Sequence, residues 1–331
     1  MSLTKVAQKA GVSVSTVSRY VRGELQVQPG TARRIDAAIH EVGLKRNRRR
    51  LSSVLLVLPE LSNPYFAHLA QTIAEAATRR SLRVLIAVSG GSPQREEEIV
   101  GRATASTEVD SAIFVSMSGD HAVLETVPAH FPLVVLDESL ASVRGESWSY
   151  VGADHYGGAY QAVQYLLSKG HTLIAHVGGP AALASARERH RGYVDALTDR
   201  GIEPRADLFR AGPYSEAFGA ASLPVFMRMK ERPTAVFCAS DIAAIGLLAA
   251  SRSSEVHIPT DLSVIGFDGI PVGAWTSPQL ATVVQPYLEL AHEALDSIEH
   301  RWRGETKRSV SLPMVVSAGE SVRAISTVAD R

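Results

Sequence analysis

The sequence predicts a small all-α head followed by an α/β core of two doubly wound subdomains. Three observations lead there. Residues 1–50 carry helical apolar spacing interrupted by a tight turn, and from residue 54 short apolar runs alternate with helical patterns. At 331 residues the chain is also too long for one ordinary hydrophobic core.

In the head, Leu3, Val6, Ala7 and Ala10 form an apolar stripe on one helix, and Val14, Val17 and Val21 form another on a second. Gly11 can take the left-handed conformation that ends the first helix, and Ser13 can cap the next. Ser15, Ser18, Arg19 and Arg22 lie between the valines and face away from the stripe. This is the layout of a helix-turn-helix, whose second helix enters the DNA major groove. A third helix follows, with Pro29 in its first turn, Ile35, Ala38, Ile39 and Val42 on one face, and Gly43 at its end.

Charge points the same way. Residues 1–50 hold eleven Lys/Arg and three acids, a net of +8, while the whole chain holds 34 of each sign, so the body carries −8. A basic head attracts phosphates and an acidic body resists smearing along them. A charge split alone also fits a solvated helix bundle; the turn chemistry weighs against that alternative.

After Arg50 the texture changes. Val54–Leu58, Val84–Val88, Ala112–Val115, Leu133–Leu136, Leu173–Val177, Ala235–Cys238 and Leu262–Phe267 read as buried strands. Helical patterns fall at 64–80, 93–105, 156–169, 185–200, 215–230 and 241–250. Such alternation implies parallel sheets covered on both faces, with ligands beyond the carboxyl ends of the strands. No run approaches the length of a membrane span, and the chain opens directly into the head instead of a leader. Cys238 is the sole cysteine, which excludes an intrachain disulfide and reads as a buried strand thiol. A cytoplasmic protein is expected.

Catalysis is not expected, nor a cofactor or metal. Gly178-Gly179-Pro180 lacks the lysine and spacing of a phosphate loop, and no G-x-S-x-G elbow occurs. His171 and His176 flank a strand and make a poor metal pair, and the eleven histidines read as scattered and mostly surface residues by default. A secreted binding protein would carry a leader and no basic head.

Over nearly its full length the chain resembles the LacI/GalR-type transcriptional repressors. The residues that carry the resemblance are Val6-Ala7-Gln8-Lys9-Ala10-Gly11-Val12-Ser13, Thr16-Val17-Ser18-Arg19 and Leu61-Ser62-Asn63-Pro64-Tyr65-Phe66. Gly178-Gly179-Pro180, Arg189 before Gly192-Tyr193, Ser240-Asp241 and Val264-Ile265-Gly266-Phe267-Asp268 complete it. The resemblance implies a helix-turn-helix DNA-binding domain at 1–45, a short basic linker at 46–53 and a periplasmic-binding-protein-like, effector-binding core at 54–331. Within that core it places an N-subdomain at about 54–153 and 285–314, and a C-subdomain at about 154–284 and 315–331. A homodimer on a palindromic operator follows, with a sugar-like or nucleoside-like effector in the inter-subdomain cleft.

By position, Val14, Ser15 and Arg19 match the family's base-reading residues. The Arg19 guanidinium suits O6 and N7 of a guanine, and Val14 suits a thymine methyl, with simple packing the alternative. Ser13, Thr16, Ser18, Gln28 and Thr31 are phosphate or positioning contacts, with local capping the alternative for the hydroxyls. The linker departs from the family. Arg46 stands where proline is expected, and the hinge-helix stretch is shorter by about two helical turns. Asn47, Arg48, Arg49 and Arg50 then form an arm on phosphates or in the minor groove, or else a solvated linker. Leu51 is a candidate for the family's wedging leucine. A ligand sensor without DNA binding is the runner-up that this short linker leaves open.

For the effector, the resemblance singles out Asn63, Tyr65, Phe66, Asp137, Arg189, Ser240, Asp241, Asp268, Trp275 and Gln285. Phe66 and Tyr65 offer aromatic faces for a sugar ring, or core packing. Arg189 forks onto ligand oxygens, or is one charge on a wet helix. Asp268 and Asp137 each end a buried strand, where a carboxylate accepts hydroxyl bonds. Gln285 lies at a crossover; Ser240 replaces the asparagine usual before Asp241; Trp275 covers the cleft or packs in a loop.

Overall fold

The computed structural model describes residues 3–21, 25, 27–42, 50–118, 122–138, 148–306 and 308–325. The expectations for Arg22, Gly43, Arg46, Asn47, Arg48 and Arg49 fall outside these.

In the head, α1 (Leu3–Ala10), α2 (Val14–Val21) and α3 (Pro29–Val42) close around Val6, Ala7, Ala10, Val17, Tyr20, Ile35 and Ala38. Gly11 has φ +66°, and the Val12 N–H returns to the Ala7 carbonyl at 3.1 Å, which ends α1. Ser13 Oγ accepts the Thr16 N–H at 3.0 Å and so caps α2. One expectation is corrected. Val14 is exposed and Tyr20 buried, because the first residue of α2 lies beyond the end of the three-helix packing.

The body is two six-stranded sheets. Its first half runs β1 (Ser53–Leu58), α4 (Pro64–Arg79), β2 (Arg83–Val88), α5 (Pro93–Ala105), β3 (Ser111–Phe114), β4 (Leu133–Leu136) and β5 (Trp148–Ala153). The second half runs α6 (His155–Ser168), β6 (Ile174–Gly178), α7 (Ala184–Thr198), β7 (Phe209–Ala211), α8 (Glu216–Met227), β8 (Ala235–Cys238), α9 (Asp241–Arg252), β9 (Ser263–Asp268) and β10 (Ala281–Val284). The chain then returns through α10 (Tyr287–Arg303) and β11 (Ser309–Leu312) and crosses back into β12 (Val315–Ser317). The sheet orders are β11-β5-β4-β3-β1-β2 and β12-β10-β9-β8-β6-β7. Three crossings therefore join the subdomains, between β5 and α6, β10 and α10, and β11 and β12.

Among the described residues every strand pair is parallel except β10 with β12. The central strands β1, β3, β4, β6, β8 and β9 are wholly buried, which is why their near-continuous apolar runs stand out in the sequence. Strands β7, β11 and β12 sit at edges and have no such run. Strand β2, also at an edge, has one but is not the buried strand that Val84–Val88 suggested, since its outer face is left exposed at Ile86 and Val88.

One further expectation is corrected. Leu51 is packed into the N-subdomain core, and the Ser52 and Ser53 N–H groups are held by the Asp110 carboxylate at 2.8 and 3.0 Å. Leu51 thus belongs to the body and is not free to wedge between base pairs. Among the described histidines, His155, His171 and His176 are buried. His176 stacks on Phe237 at 4.8 Å and gives Nδ1 to the Phe237 carbonyl at 3.0 Å. Burial holds its pKa down at about 3, so it fills the core as a neutral aromatic.

Candidate functional site: an exposed recognition face and a buried polar cleft

On the head, Val14, Ser15 and Arg19 are exposed along α2, with Thr16 and Ser18 half-buried beside them. The Ser13 hydroxyl lies 2.8 Å from that of Ser15 and 2.7 Å from that of Thr16, so three hydroxyls gather at the α2 N-terminus. An N-terminus with free N–H groups and hydroxyls is suited to a phosphate. Gln28 is exposed just before α3. Thr31 accepts from Arg34 Nη2 at 3.3 Å while Arg34 Nε reaches the Ala10 carbonyl, which ties α3 to α1. Arg50 is exposed where the body begins.

The second site lies between the subdomains, at the carboxyl ends of the strands. Asp137 follows β4 and Asp268 ends β9, and both hold left-handed backbone, φ +73° and +112°. At Asp137 the Glu138 N–H bonds the Leu136 carbonyl at 3.0 Å, closing a three-residue γ-turn. Such conformations cost about 1–3 kcal/mol each and persist where surroundings hold them. For Asp268 the holding group is Asp241. Its Oδ2 accepts the Gly269 and Ile270 N–H groups at 2.8 and 2.9 Å, and Oδ1 accepts the Thr282 hydroxyl. Asp241 is fully buried, and that burial pushes its pKa up.

Arg189, on α7, is 3 % exposed and not on a wet face. Its Nη2 lies 3.3 Å from Asp268 Oδ1, its guanidinium sits 4.0 Å above the Phe267 ring, and Nη1 bonds the Ala239 carbonyl. Arg189 Nε and Nη2 also face His155 Nδ1 at 3.4 and 3.3 Å. His155 Nε2 in turn lies 3.1 Å from Asp137 Oδ1 and 3.4 Å from the Asp137 carbonyl. Gln285 Nε2 donates to Asp268 Oδ1 at 3.1 Å. A continuous polar chain, Asp137–His155–Arg189–Asp268–Gln285, therefore spans the cleft.

The carboxylates differ in character. Burial would raise Asp137, but His155 and then Arg189 outweigh it and the net shift is downward. For Asp268 burial wins, against the pull of Arg189 and the Gln285 bond, and the pKa rises to about 6. Around the chain, the Tyr214 and Tyr287 hydroxyls and Gln285 Oε1 are buried with no hydrogen-bond partner among the described residues, while the Tyr65 hydroxyl faces Asp137. Each such group costs roughly 1–3 kcal/mol. Their convergence leaves unmatched hydrogen-bonding capacity in one place.

The expected effector residues thus divide. Tyr65, Asp137, Arg189, Asp268 and Gln285 converge on the cleft. Asn63 caps α4, accepting the Tyr65 N–H at 3.1 Å, and Ser240 caps α9 through the Ala243 N–H. Asp241 serves the backbone under Asp268. Phe66 packs in the N-subdomain core against Tyr65, ring centroids 5.0 Å apart. Trp275 is 79 % exposed. Sequence reasoning missed His155, Glu138, Tyr214 and Tyr287. The available signal was position: His155 opens the helix after the first crossing, and Tyr287 stands two residues past Gln285 at the second.

Among the described residues no helix is long and apolar enough to cross a membrane, and no cluster of three His, Cys, Asp or Glu side chains could hold a metal ion.

Comparison with known proteins follows these two regions. Residues 2–47 match the family of bacterial regulatory proteins, lacI family, and residues 163–322 match the periplasmic binding protein-like domain. The HTH-type transcriptional regulator CelR of Thermobifida fusca is 31 % identical over 324 residues, covering 94 % of each chain. The HTH-type transcriptional repressor CytR of Escherichia coli K12 is 28 % identical over 329 residues, covering 95 % of each. Among solved structures, a transcriptional regulator CelR–cellobiose complex superposes with a TM-score of 0.74 at 30 % identity, covering 97 % of this chain and 99 % of that one.

Proposed function

Because the chain belongs to the lacI family of bacterial regulatory proteins, a family of transcriptional regulators with helix-turn-helix DNA-binding domains and not of enzymes, we propose that it is a repressor whose operator binding is switched by an uncharged sugar-like effector. It would act as a homodimer, each α2 reading one half of a palindromic operator. The observation that carries the effector class is the charge balance of the cleft. Arg189 pairs with Asp268, a second carboxylate, Asp137, lies beyond His155, and three further polar atoms there are unpartnered among the described residues. An anionic ligand would add a negative charge to a buried site that already holds an excess of it, whereas hydroxyls suit carboxylates and tyrosines alike. The cellobiose bound by the CelR structure is of this class. Self-association is supported by the sheet edge at β2, where Ile86 and Val88 are 48 % and 39 % exposed.

On the DNA side, the exposed Arg19 is assigned the leading base contact, Ser15 and Val14 the neighbouring ones, and Ser13, Thr16, Ser18, Gln28 and Thr31 the backbone contacts. Arg48, Arg49 and Arg50, with Asn47, are assigned to phosphates as an extended arm.

The test is fluorescence anisotropy of the full chain on palindrome-like DNA upstream of its gene, with scrambled competitor. Cellobiose, D-ribose, adenosine and a sugar phosphate are added in turn. Specific binding that a neutral sugar shifts and the sugar phosphate does not is expected. Arg19→Ala should lose about 1–3 kcal/mol of discrimination at one operator position. A shift by adenosine alone would move the effector to the nucleoside class. No preference over scrambled DNA would overturn the repressor reading in favour of a sensor, the alternative that the short span between Val42 and the buried Leu51 favours.

A further inference from the structure

Helix α7 begins without a cap from its own flanking residues. Leu183 occupies the N-cap position and offers no side-chain acceptor. The acceptor comes from the other subdomain. Glu138, on the turn after β4 and 4 % exposed, takes the Ala184 N–H on Oε1, the Ser185 N–H at 3.3 Å and the Ser185 hydroxyl at 2.6 Å. A carboxylate here also meets the positive end of the α7 dipole. Its neighbour Asp137 reaches α6 through His155. The left-handed turn at Asp137 thus directs two successive carboxylates onto two different helices of the opposite wall.

We propose that Glu138 is an interdomain latch, a positioning residue of the N-subdomain that caps α7 of the C-subdomain and biases the core toward the arrangement in which the two walls meet, here called closed. Closing the cleft without this carboxylate would bury the first N–H groups of α7 with no acceptor, a penalty that falls on the closed state alone. With it, closing exchanges water for three matched bonds. Glu138 therefore sets the closed–open balance on which an effector acts. Its consequence for signalling rests on the effector reading above; its contacts do not.

Hydrogen exchange on the full, ligand-free chain tests this. In Glu138→Ala the amides of Ala184 and Ser185 should exchange at least about tenfold faster. So should those of Tyr65, Phe66 and Ala67 in the first turn of α4, the turn from which Tyr65 lines the cleft on the other wall. Glu138→Gln keeps the shape and one acceptor oxygen and should recover part of the protection at both places. Unchanged exchange at Ala184 and Ser185 in Glu138→Ala overturns the proposal. So does an increase confined to those two amides, which would make Glu138 a local cap. Cellobiose and D-ribose titrations of the same proteins report on the effector reading separately. If neither binds the wild type, the exchange result still decides the latch.

Discussion

Asp268 carries a prediction that its sequence position alone does not. Burial lifts its pKa to about 6 even though Arg189 and Gln285 pull against that rise. The folded core then holds a proton that the unfolded chain releases near the usual carboxylate range. Stability from this group is greatest below that range and falls as pH rises through about 6. Effector binding runs the other way, because sugar hydroxyls donate best to the ionised carboxylate. Affinity for a neutral sugar should fall up to about tenfold per pH unit below the Asp268 pKa, and Asp268→Asn should weaken binding and remove that dependence. Isothermal titration from pH 7.5 to 5, at about half-unit steps, checks it. Asp137, whose pKa is depressed, stays ionised through this window. Identity and strand-end position pointed to both carboxylates; the difference between them comes from partners tens of residues away.

Elements divide by how much of their burial is local. The turn between α1 and α2 is local chemistry throughout. Gly11 sits at φ +66° with open space around its missing Cβ, so the cost of a side chain there is conformational. Gly11→Ala should destabilise the head by about 1–2 kcal/mol and weaken operator binding, as read by chemical denaturation and anisotropy. The six wholly buried strands and helices α4 to α9 were legible too, since wholly buried strands need uninterrupted apolar residues, whereas β5 and α10 were not read. Strands β7, β11 and β12 were not. An edge strand is recruited by its neighbour's unpaired backbone, and its side chains need no distinctive pattern. Asp241 shows the limit at the helix scale. The resemblance singled it out for the effector, but folding brings it under the Gly269 and Ile270 amides and beside the Thr282 hydroxyl, where its oxygens are already engaged.

Across the whole molecule the charge division gives the clearest lever. With +8 in residues 1–50 and −8 beyond, operator affinity should be steeply salt-dependent. Replacing Arg48, Arg49 and Arg50 together by Ala should flatten the plot of log affinity against log salt by about 0.9 for each phosphate no longer neutralised. An unaltered slope would remove the phosphate-arm assignment. The span available to that arm is short because Leu51 and the Ser52 and Ser53 amides are bound into the N-subdomain. Whatever motion the cleft undergoes thus reaches the head through only a few residues.

The amino-acid order by itself determined the helix-turn-helix, the two doubly wound layers, the charge split and the strand-end carboxylates. All of these follow from spacing of a few residues or from sums over a segment. Only the tertiary structure decided that Asp137, His155, Arg189, Asp268 and Gln285 form one chain, and that Glu138 caps a helix 46 residues away. It also decided that Leu51 and Asp241 are structural. Those assignments depend on which strand ends face each other across three crossings, and on how burial and paired charge balance once they do. No local pattern encodes that geometry.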